Sequence, residues 1–367
     1  MHTELIENLS SKNASWMDFA SYMHYALYDS QRGYYTNGGQ KIGARGDFIT
    51  APEISSLFGR TIARVVADLT RSGANILELG PGTGSLAFDI LNELEAIDAG
   101  PQEYLLLEPS ASLEEQQKDK FSDLSAINRK KVSWISELPS EFEGIILANE
   151  VFDALPVHLL SLTDKGWMER GVTITQGKAL QWQDMPLADP ELGKGIDTKH
   201  LMPPYVTEVC PAADGLIRDL ARCLSDGLLL LIDYGYENSV YYHPDRNQGT
   251  LACHYKHVAD SDPLDLTGLK DITAHVDFTR LANAGIDNGL DLQGYTTQAD
   301  FLINGGITSL LEEIDSSKTR EYVPAVSSVQ KLISPMVMGD MFKVMCFSKG
   351  ANALDSGFIH GDRRHKL

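Results

Sequence analysis

The stretch from Ala74 to Leu86 constrains the fold of this 367-residue chain more than any other part of it. It reads A-N-I-L-E-L-G-P-G-T-G-S-L, a short apolar run followed by three glycines at alternate positions. Such a run is typical of a buried parallel strand. The glycines Gly80, Gly82 and Gly84 permit a sharp turn into a helix that begins near Ser85, whose first N–H groups lack intrahelical partners. The pattern therefore predicts a ligand site at this turn.

The rest of the chain alternates apolar runs with stretches of helical periodicity. Further strands are predicted at 103–108, 132–135, 144–148, 227–233, 289–295 and 341–348. Strands that alternate with helices imply crossover connections and a mainly parallel sheet, so the fold class is α/β. Ligands of such sheets bind at the carboxyl ends of the strands. The glycine turn, Glu108 and the polar segment 149–153 all follow strands, and we expect them to form one site.

The regions that flank this pattern suggest four segments. A helix is predicted over 16–27 with Ser15 as its cap, then a loop with five glycines over 29–53, then a helix over 54–71. Antiparallel strands are predicted over 158–183, a long surface excursion over 234–273 and a disordered tail beyond Gly350. We therefore divide the chain into an N-terminal helical segment that could act as a lid (1–72), a ligand-binding domain (73–160 and 211–350), a β-rich insertion (161–210) and the tail (351–367).

Charge and composition exclude some classes of partner. The net charge of −20 argues against a general nucleic-acid surface, and no apolar run is long enough to span a membrane. The four cysteines, Cys210, Cys223, Cys253 and Cys346, have no spacing typical of metal ligands, so no metal is expected. The polar, acidic N-terminus carries no targeting signal, from which we expect a cytoplasmic protein.

Two kinds of phosphate-binding turn fit the glycines poorly. No Gly-Lys-Ser/Thr follows the last glycine, which argues against a P-loop. The spacing is G-x-G-x-G rather than the G-x-G-x-x-G of dinucleotide sites, so a dinucleotide oxidoreductase is the less favoured alternative. An adenosyl ligand without a pyrophosphate fits better, because Glu108, 24 residues after Gly84, would accept hydrogen bonds from the ribose hydroxyls.

Longer motifs make the resemblance specific. They are A-L-Y-D-S-Q-R-G-Y-Y at 26–35, G-D-F-I-T-A-P-E-I-S at 46–55, A-N-E-V-F-D-A-L-P-V-H at 148–158, I-D-Y-G-Y at 232–236 and D-I-T-A-H-V-D-F at 271–278. With E-L-G-P-G-T-G and the late strand F-K-V-M-C-F, they resemble the MidA family of class I S-adenosylmethionine-dependent methyltransferases. The match extends from about Met17 to Gly350.

This resemblance implies a fold, a cofactor and a kind of acceptor. The fold is a Rossmann-like, mainly parallel seven-stranded sheet whose last strand is antiparallel and inserted between its neighbours. The cofactor is S-adenosylmethionine. The mitochondrial members are complex I assembly factors that methylate an arginine of a complex I subunit, so a protein substrate, including a respiratory complex subunit, is the expected partner. The oligomeric state is not implied.

Residues are assigned to this function as follows. The expected cofactor-binding residues are Glu78, Gly80, Pro81, Gly82, Thr83, Gly84, Glu108, Pro109 and Asn149. A cationic arginine brought against a sulfonium requires carboxylates, and the predicted catalytic acids are Glu150, Asp153 and Glu53. Capping of the following segment is the alternative role of each acid. A structural hydrogen bond is favoured over proton transfer for His275. A second class of function stays open: an assembly chaperone that binds S-adenosylmethionine and has little catalytic activity.

Overall fold

The computed structural model describes residues 16–36, 49–175, 179–256, 258–350 and 356–367. The strands in that part of the chain are β1 Trp16–Asp18, β2 Asn75–Leu79, β3 Tyr104–Leu107, β4 Val132–Ile135, β5 Phe142–Asn149, β6 His158–Thr163, β7 Gly166–Ile174, β8 Leu180–Pro186, β9 Tyr205–Val209, β10 Leu224–Tyr236, β11 Ala252–Tyr255, β12 Val258–Asp260, β13 Asp271–Thr273, β14 Val276–Asp277, β15 Asp291–Thr297 and β16 Phe342–Lys349. The α-helices are α1 Phe19–Tyr28, α2 Ala51–Ile54, α3 Ser56–Arg71, α4 Ser85–Ala96, α5 Ala111–Phe121, α6 Ala126–Arg129, α7 Pro211–Cys223, α8 Asn238–Tyr241, α9 Phe278–Asp287, α10 Gln298–Asn304, α11 Ile307–Glu312 and α12 Thr319–Ile333.

The central sheet has the strand order β15-β16-β10-β5-β2-β3-β4. The pairs from β10 to β4 are parallel, whereas β16 is antiparallel to both of its neighbours. The short strand β14 adds to the carboxyl end of β10. The predicted seven-stranded sheet with an inserted antiparallel last strand is therefore confirmed.

The central strands of this sheet are mainly apolar because both faces are covered. Ile76 and Ile145 point into the core under α3 and α4, and Leu77 and Ile146 point into the core under α7 and α9. All four side chains are fully buried. Parallel strands that are covered by crossover helices on both faces require this pattern.

The N-terminal element differs from the prediction. Residues 16–18 are not helical but form β1, which pairs antiparallel with β7. Helix α1 begins only at Phe19, and its cap is Asp18, whose Oδ1 accepts a hydrogen bond from the N–H of Ser21 at 2.8 Å. The predicted cap, Ser15, lies outside the described residues. Pairing with a distant strand here prevails over the local helical periodicity.

The β-rich insertion forms a sheet of its own. Strands β6, β7, β8 and β9 pair antiparallel, and β1 joins them at the edge of β7. Helix α1 packs on this sheet through a buried cluster that includes Phe19, Leu159 and Val172. Helix α1 and the insertion therefore share one core, whereas α3 packs on the central sheet. The division into four segments stays a prediction.

The excursion and the tail are more ordered than predicted. Residues 234–273 include α8 and the three-stranded sheet β12-β11-β13, and α12 was not predicted. The prediction of a disordered tail is wrong for 356–367, while 351–355 lie outside the described residues. Phe358 is buried against Phe301, and the N–H of Arg363 donates to the carbonyl of Tyr295 at 2.6 Å. The tail covers the free edge of β15, which would otherwise expose unpaired backbone groups.

Candidate active site

The glycine turn, residues 80–84, connects β2 to α4 at the carboxyl edge of the sheet. Gly80, Gly82 and Gly84 all have positive φ, at 57°, 56° and 77°, and Gly84 occupies the N-cap position of α4. A Cβ atom on Gly84 would lie 3.0 Å from the ring of Phe121. Only glycine adopts this backbone without strain, and its missing side chains leave the helix N-terminus open to a ligand.

Glu108 lies at the end of β3, beside this turn. Its buried carboxylate accepts hydrogen bonds from the N–H of Ser110 at 2.8 Å and from Nε2 of Gln117 at 3.1 Å. The same amide of Gln117 donates to the carbonyl of Gly82 at 2.7 Å. Burial raises the pKa of Glu108 to about 7. Gln117, which sequence reasoning missed, thus fixes the glycine turn and Glu108 relative to each other.

The other predicted cofactor residues occupy different environments. Glu78 is 2% exposed and its Oε2 accepts a hydrogen bond from the hydroxyl of Tyr104 at 2.7 Å, while burial raises the pKa of Glu78 to about 7. Pro81 is buried, Thr83 is partly exposed and Pro109 is exposed. The carboxylate of Glu78 therefore joins β2 to β3 from inside the core. A direct cofactor contact of any of these residues stays a prediction.

Glu53 lies on the one-turn helix α2 and contacts the glycine turn. Its carboxylate accepts hydrogen bonds from the hydroxyls of Thr83 and Ser85, and Nζ of Lys120 lies 4.0 Å away. The first N–H of α2, on Ala51, donates to Oε1 of Glu150 at 3.4 Å. Helix α2 thus lies between the glycine turn and the acids that follow β5. The part of the predicted 29–53 loop over 37–48 lies outside the described residues.

Glu150 follows β5 directly and has an unusual backbone. Its φ is 54°, a left-handed value that is rare for a residue with a side chain, and its N–H donates to the carbonyl of Ile232 at 2.8 Å. Burial and the neighbouring carboxylate of Asp153 raise the pKa of Glu150 to about 8. Strained backbone of this kind at a strand end is frequent where a side chain has to face a ligand.

Asp153 is buried, and it and the nearby Asn149 each carry one oxygen atom without a hydrogen-bond donor among the described residues. Its Oδ2 accepts a hydrogen bond from the hydroxyl of Tyr234 at 2.6 Å, and burial raises the pKa of Asp153 to about 6. Within the described residues, Oδ1 of Asp153 and Oδ1 of Asn149 are buried and have no hydrogen-bond donor. Asn149 also donates to Oε1 of Glu150 at 3.3 Å. Buried acceptors left without partners are costly, so the site is suited to a ligand that brings several donors.

Two further buried carboxylates complete what we call the acid cluster: Glu150, Asp153, Asp233 and Asp271. Oδ2 of Asp233 accepts hydrogen bonds from the N–H groups of Phe152 and Asp153, at 3.0 and 3.2 Å. Burial raises the pKa of Asp233 well above its usual value, and the charges of Asp153 and Glu150 raise it further. The carboxylate of Asp271 accepts a hydrogen bond from the hydroxyl of Tyr35. Tyr35 is another residue that sequence reasoning missed.

Aromatic side chains line the cluster. Tyr28 and Tyr35 stack with ring centroids 5.5 Å apart, and the hydroxyl of Tyr28 donates to the carbonyl of Ala154 at 2.9 Å. His275 packs between Tyr234 and Tyr236, and burial lowers its pKa to about 4. The motifs at 26–35, 232–236 and 271–278 were the sequence signals for these residues, and they assigned no role to Tyr28 or Tyr35.

Comparison with known proteins identifies the family. Residues 57–296 match the family model described as "Putative S-adenosyl-L-methionine-dependent methyltransferase". The chain belongs to this family. It is 30% identical to the mitochondrial protein arginine methyltransferase NDUFAF7 of Danio rerio, over 94% of this chain and 86% of the relative. It is also 30% identical to the Bos taurus protein of the same name, over 91% of this chain and 80% of that relative.

A crystal structure of a Burkholderia thailandensis family member bound to S-adenosyl-homocysteine is similar throughout. Its TM-score to this structure is 0.95 at 42% identity, and the match covers 100% of this chain and 96% of that one. The predicted resemblance to the MidA family is confirmed, as are the fold class and an S-adenosylmethionine-dependent methyltransferase activity. A nicotinamide-dependent oxidoreductase is not favoured.

The prediction of a cytoplasmic location is wrong by this comparison. The matched relatives from Danio rerio, Bos taurus and Caenorhabditis elegans are all named as mitochondrial. Separately, no helix in the described ranges combines the length and the apolar character needed to cross a membrane.

Proposed function

We propose that this methyltransferase modifies an arginine side chain of a protein. The observation that carries the proposal is the acid cluster next to the glycine turn, with two buried acceptors, on Asp153 and Asn149, that have no donor among the described residues. A guanidinium group brings five N–H donors and a positive charge in one plane. The names of the curated relatives, which are protein arginine methyltransferases, support the same acceptor.

The residues around the glycine turn fit S-adenosylmethionine. The positive-φ backbone of Gly80, Gly82 and Gly84 allows close approach of a ligand, and Glu108 offers a carboxylate at the position suited to ribose hydroxyls. We propose that these four residues hold the cofactor and that Pro81, Thr83, Pro109 and Asn149 contribute contacts. Glu53 positions the turn through the hydroxyl of Thr83. When bound, the cofactor supplies an electrophilic methyl group on a sulfonium.

The acids have separate tasks in the proposed reaction. Glu150 and Asp153 orient the guanidinium, since a carboxylate pairs with two of its N–H groups at once. Asp233 holds the backbone of Phe152 and Asp153 and so fixes the direction of the Asp153 side chain. As the bond from the attacking nitrogen to the methyl group forms and the bond between that methyl group and the sulfonium sulfur breaks, the nitrogen gives up one proton. Glu150, whose pKa is raised to about 8, is the group best placed to accept that proton.

A catalytic role explains the cluster better than a scaffold role. Three buried carboxylates and the partly exposed Glu150, with mutually unfavourable charges, destabilise a folded protein unless a cation binds among them. A chaperone that only binds the cofactor would gain nothing from this arrangement. We further propose, on the family resemblance alone, that a subunit of a respiratory complex is the first protein substrate to test.

Transfer of a labelled methyl group into a lysate tests the acceptor. The lysate comes from a strain that lacks this protein, and mass spectrometry then locates the label. We expect methylarginine in a protein, and we expect none when Gly82→Val blocks the glycine turn. Label in a lipid or a small molecule, with none in protein, would refute the arginine assignment.

A further inference from the structure

On its β10 side the acid cluster contacts a row of aromatic rings. Tyr234, which bonds Asp153, packs against His275 with ring centroids 5.0 Å apart, and His275 packs against Tyr236 at 5.1 Å. The guanidinium of Arg246 lies over the ring of Tyr236, 4.0 Å from its centroid. A continuous set of side-chain contacts thus leads from the acid cluster to one arginine.

Arg246 is held in a fixed orientation with its terminal nitrogens free. Its Nε donates to the carbonyl of Val240 at 2.9 Å, and the stacking on Tyr236 fixes the plane of the guanidinium. Across the described ranges, neither terminal nitrogen of Arg246 has a hydrogen-bond or ion-pair partner. A half-buried, preorganised guanidinium with both terminal nitrogens free is suited to bidentate binding of a carboxylate.

Within the described residues most arginines pair with a carboxylate, whereas Arg246 does not. The chain carries 51 acidic and 31 basic side chains, and other arginines such as Arg64, Arg170 and Arg280 each contact a carboxylate. A second cation is close by, since Nζ of Lys343 lies 5.4 Å from the ring centroid of Tyr236. Lys343 is 4% exposed and donates to the carbonyls of Asp340 and Met341. Its charge adds to the positive potential at Arg246 without a contact to the substrate.

We propose that Arg246, stacked on Tyr236, is a specificity-determining residue that binds a carboxylate group of the acceptor substrate. The inference rests on the proposed arginine methylation and adds a substrate class to it: arginines with a carboxylate nearby. The contacts of 5.0, 5.1 and 4.0 Å that lead from Tyr234 to Arg246 span at most about 14 Å. An extended chain covers about 3.3 Å per residue, so an aspartate or glutamate side chain within about five residues of the methylated arginine reaches this position. The α-carboxylate of free arginine is the other source of the same group.

Paired substrates separate these sources. The first pair is a set of synthetic peptides with a single arginine and either aspartate or asparagine at each of the five positions on both sides. The second pair is free arginine and agmatine, which lacks the α-carboxylate. The measurement is kcat/KM for labelled methyl transfer. We expect the wild-type enzyme to favour the best-placed aspartate over asparagine about tenfold, the value of one net charge-assisted contact.

Variants then attribute the preference to Arg246. Arg246→Gln should reduce the aspartate preference to about one, and Arg246→Lys, which keeps the charge but loses the planar fork, should retain part of it. The matched control is Arg129→Gln, because Arg129 is an exposed arginine on α6 that bonds only a carbonyl within the described residues. Calorimetric titration with S-adenosylmethionine shows that each variant is folded.

Each result decides the question. No aspartate preference in the wild-type enzyme, or a preference that survives in Arg246→Gln, overturns the inference and leaves arginine methylation standing. A preference seen only for arginine over agmatine assigns the contact to the α-carboxylate of a free amino acid and overturns the peptide form. Normal cofactor binding with methyl transfer to no arginine compound refutes the proposed function and this inference with it.

Discussion

Replacement of Glu150 by glutamine removes one negative charge from the acid cluster with almost no change in shape. The side chain keeps its place between Ala51 and Asn149, whose N–H groups donate to Oε1 at 3.4 and 3.3 Å. Glutamine can still accept those hydrogen bonds. It cannot pair with a cationic guanidinium or take up a proton at neutral pH. The substitution therefore tests charge separately from packing.

The magnitude follows from the surroundings of Glu150. Loss of one partner from a desolvated charge pair costs about 2–5 kcal/mol. Because Glu150 is partly exposed, the lower part of this range applies, and about 2–3 kcal/mol corresponds to roughly a 30- to 150-fold loss in kcat/KM. The affinity for S-adenosylmethionine should change little, since the glycine turn and Glu108 are unaltered.

The pH dependence of kcat/KM tests the role of Glu150 independently. The pKa of free Glu150 is raised to about 8, so kcat/KM of the wild-type enzyme should rise with pH through about 8 as the carboxylate ionises. Glu150→Gln should lose that limb and keep the limb at lower pH, which belongs to the coupled pair Asp153 and Asp233. The matched control is Glu143→Gln, on the exposed side of the same strand β5. Activity within threefold of wild type, with an unchanged limb near 8, would refute the role of Glu150.

The same substitution should lower activity but raise thermal stability. Folding raises the pKa of the Glu150 carboxyl from 4.5 to about 8, so the folded protein binds this proton more tightly than the unfolded chain does. The free energy of unfolding is therefore unaffected by this group below pH 4.5 and falls as the pH rises from 4.5 to about 8. Glu150→Gln has no such cost. The melting temperature of the variant, measured against wild type, should therefore increase between about pH 5 and pH 8. A constant difference over that interval would show that burial does not shift this pKa.

Three further substitutions test the supports of the site. Gly84→Ala should weaken S-adenosylmethionine binding about tenfold or more in calorimetry, because the new Cβ atom lies 3.0 Å from the ring of Phe121. The control is Gly289→Ala, which should bind normally because Gly289 has a similar φ but no atom within 4 Å of a new Cβ. Gln117→Leu should lower the free energy of unfolding by about 2–4 kcal/mol in urea, since it strands several buried polar groups. Tyr234→Phe should move the lower pH limb upward, because the lost hydroxyl lowers the pKa of Asp153; an unmoved limb would argue that Asp153 does not titrate in catalysis.

The central sheet and the glycine turn could be predicted because their signals are local. Apolar runs on strands covered on both faces, and glycines where φ must be positive, are properties of a few consecutive residues. The same holds for Glu108, the last residue of a predicted strand, and for Glu150, which lies two positions beyond another. The long motifs supplied the family, and with it the position of the inserted last strand β16.

The remaining features depend on contacts between distant parts of the chain. Residues 16–18 follow a helical pattern but pair with β7, and the tail folds because the edge of β15 offers it backbone partners. Gln117 reaches the carbonyl of Gly82, 35 positions away, and Tyr35 reaches Asp271, 236 positions away. No local periodicity records such contacts.

By itself, the sequence determined that this chain forms a mainly parallel sheet with a glycine turn at the end of one strand and acids near it, and it predicted that this turn binds the adenosyl cofactor. Only the tertiary structure decided that four acids share one cluster, that two acceptors there lack donors among the described residues, and that aromatic contacts connect the cluster to Arg246. The physical reason is that burial and charge proximity, which set the pKa of an acid and its need for a cation, arise when separate strands meet at one edge of the sheet.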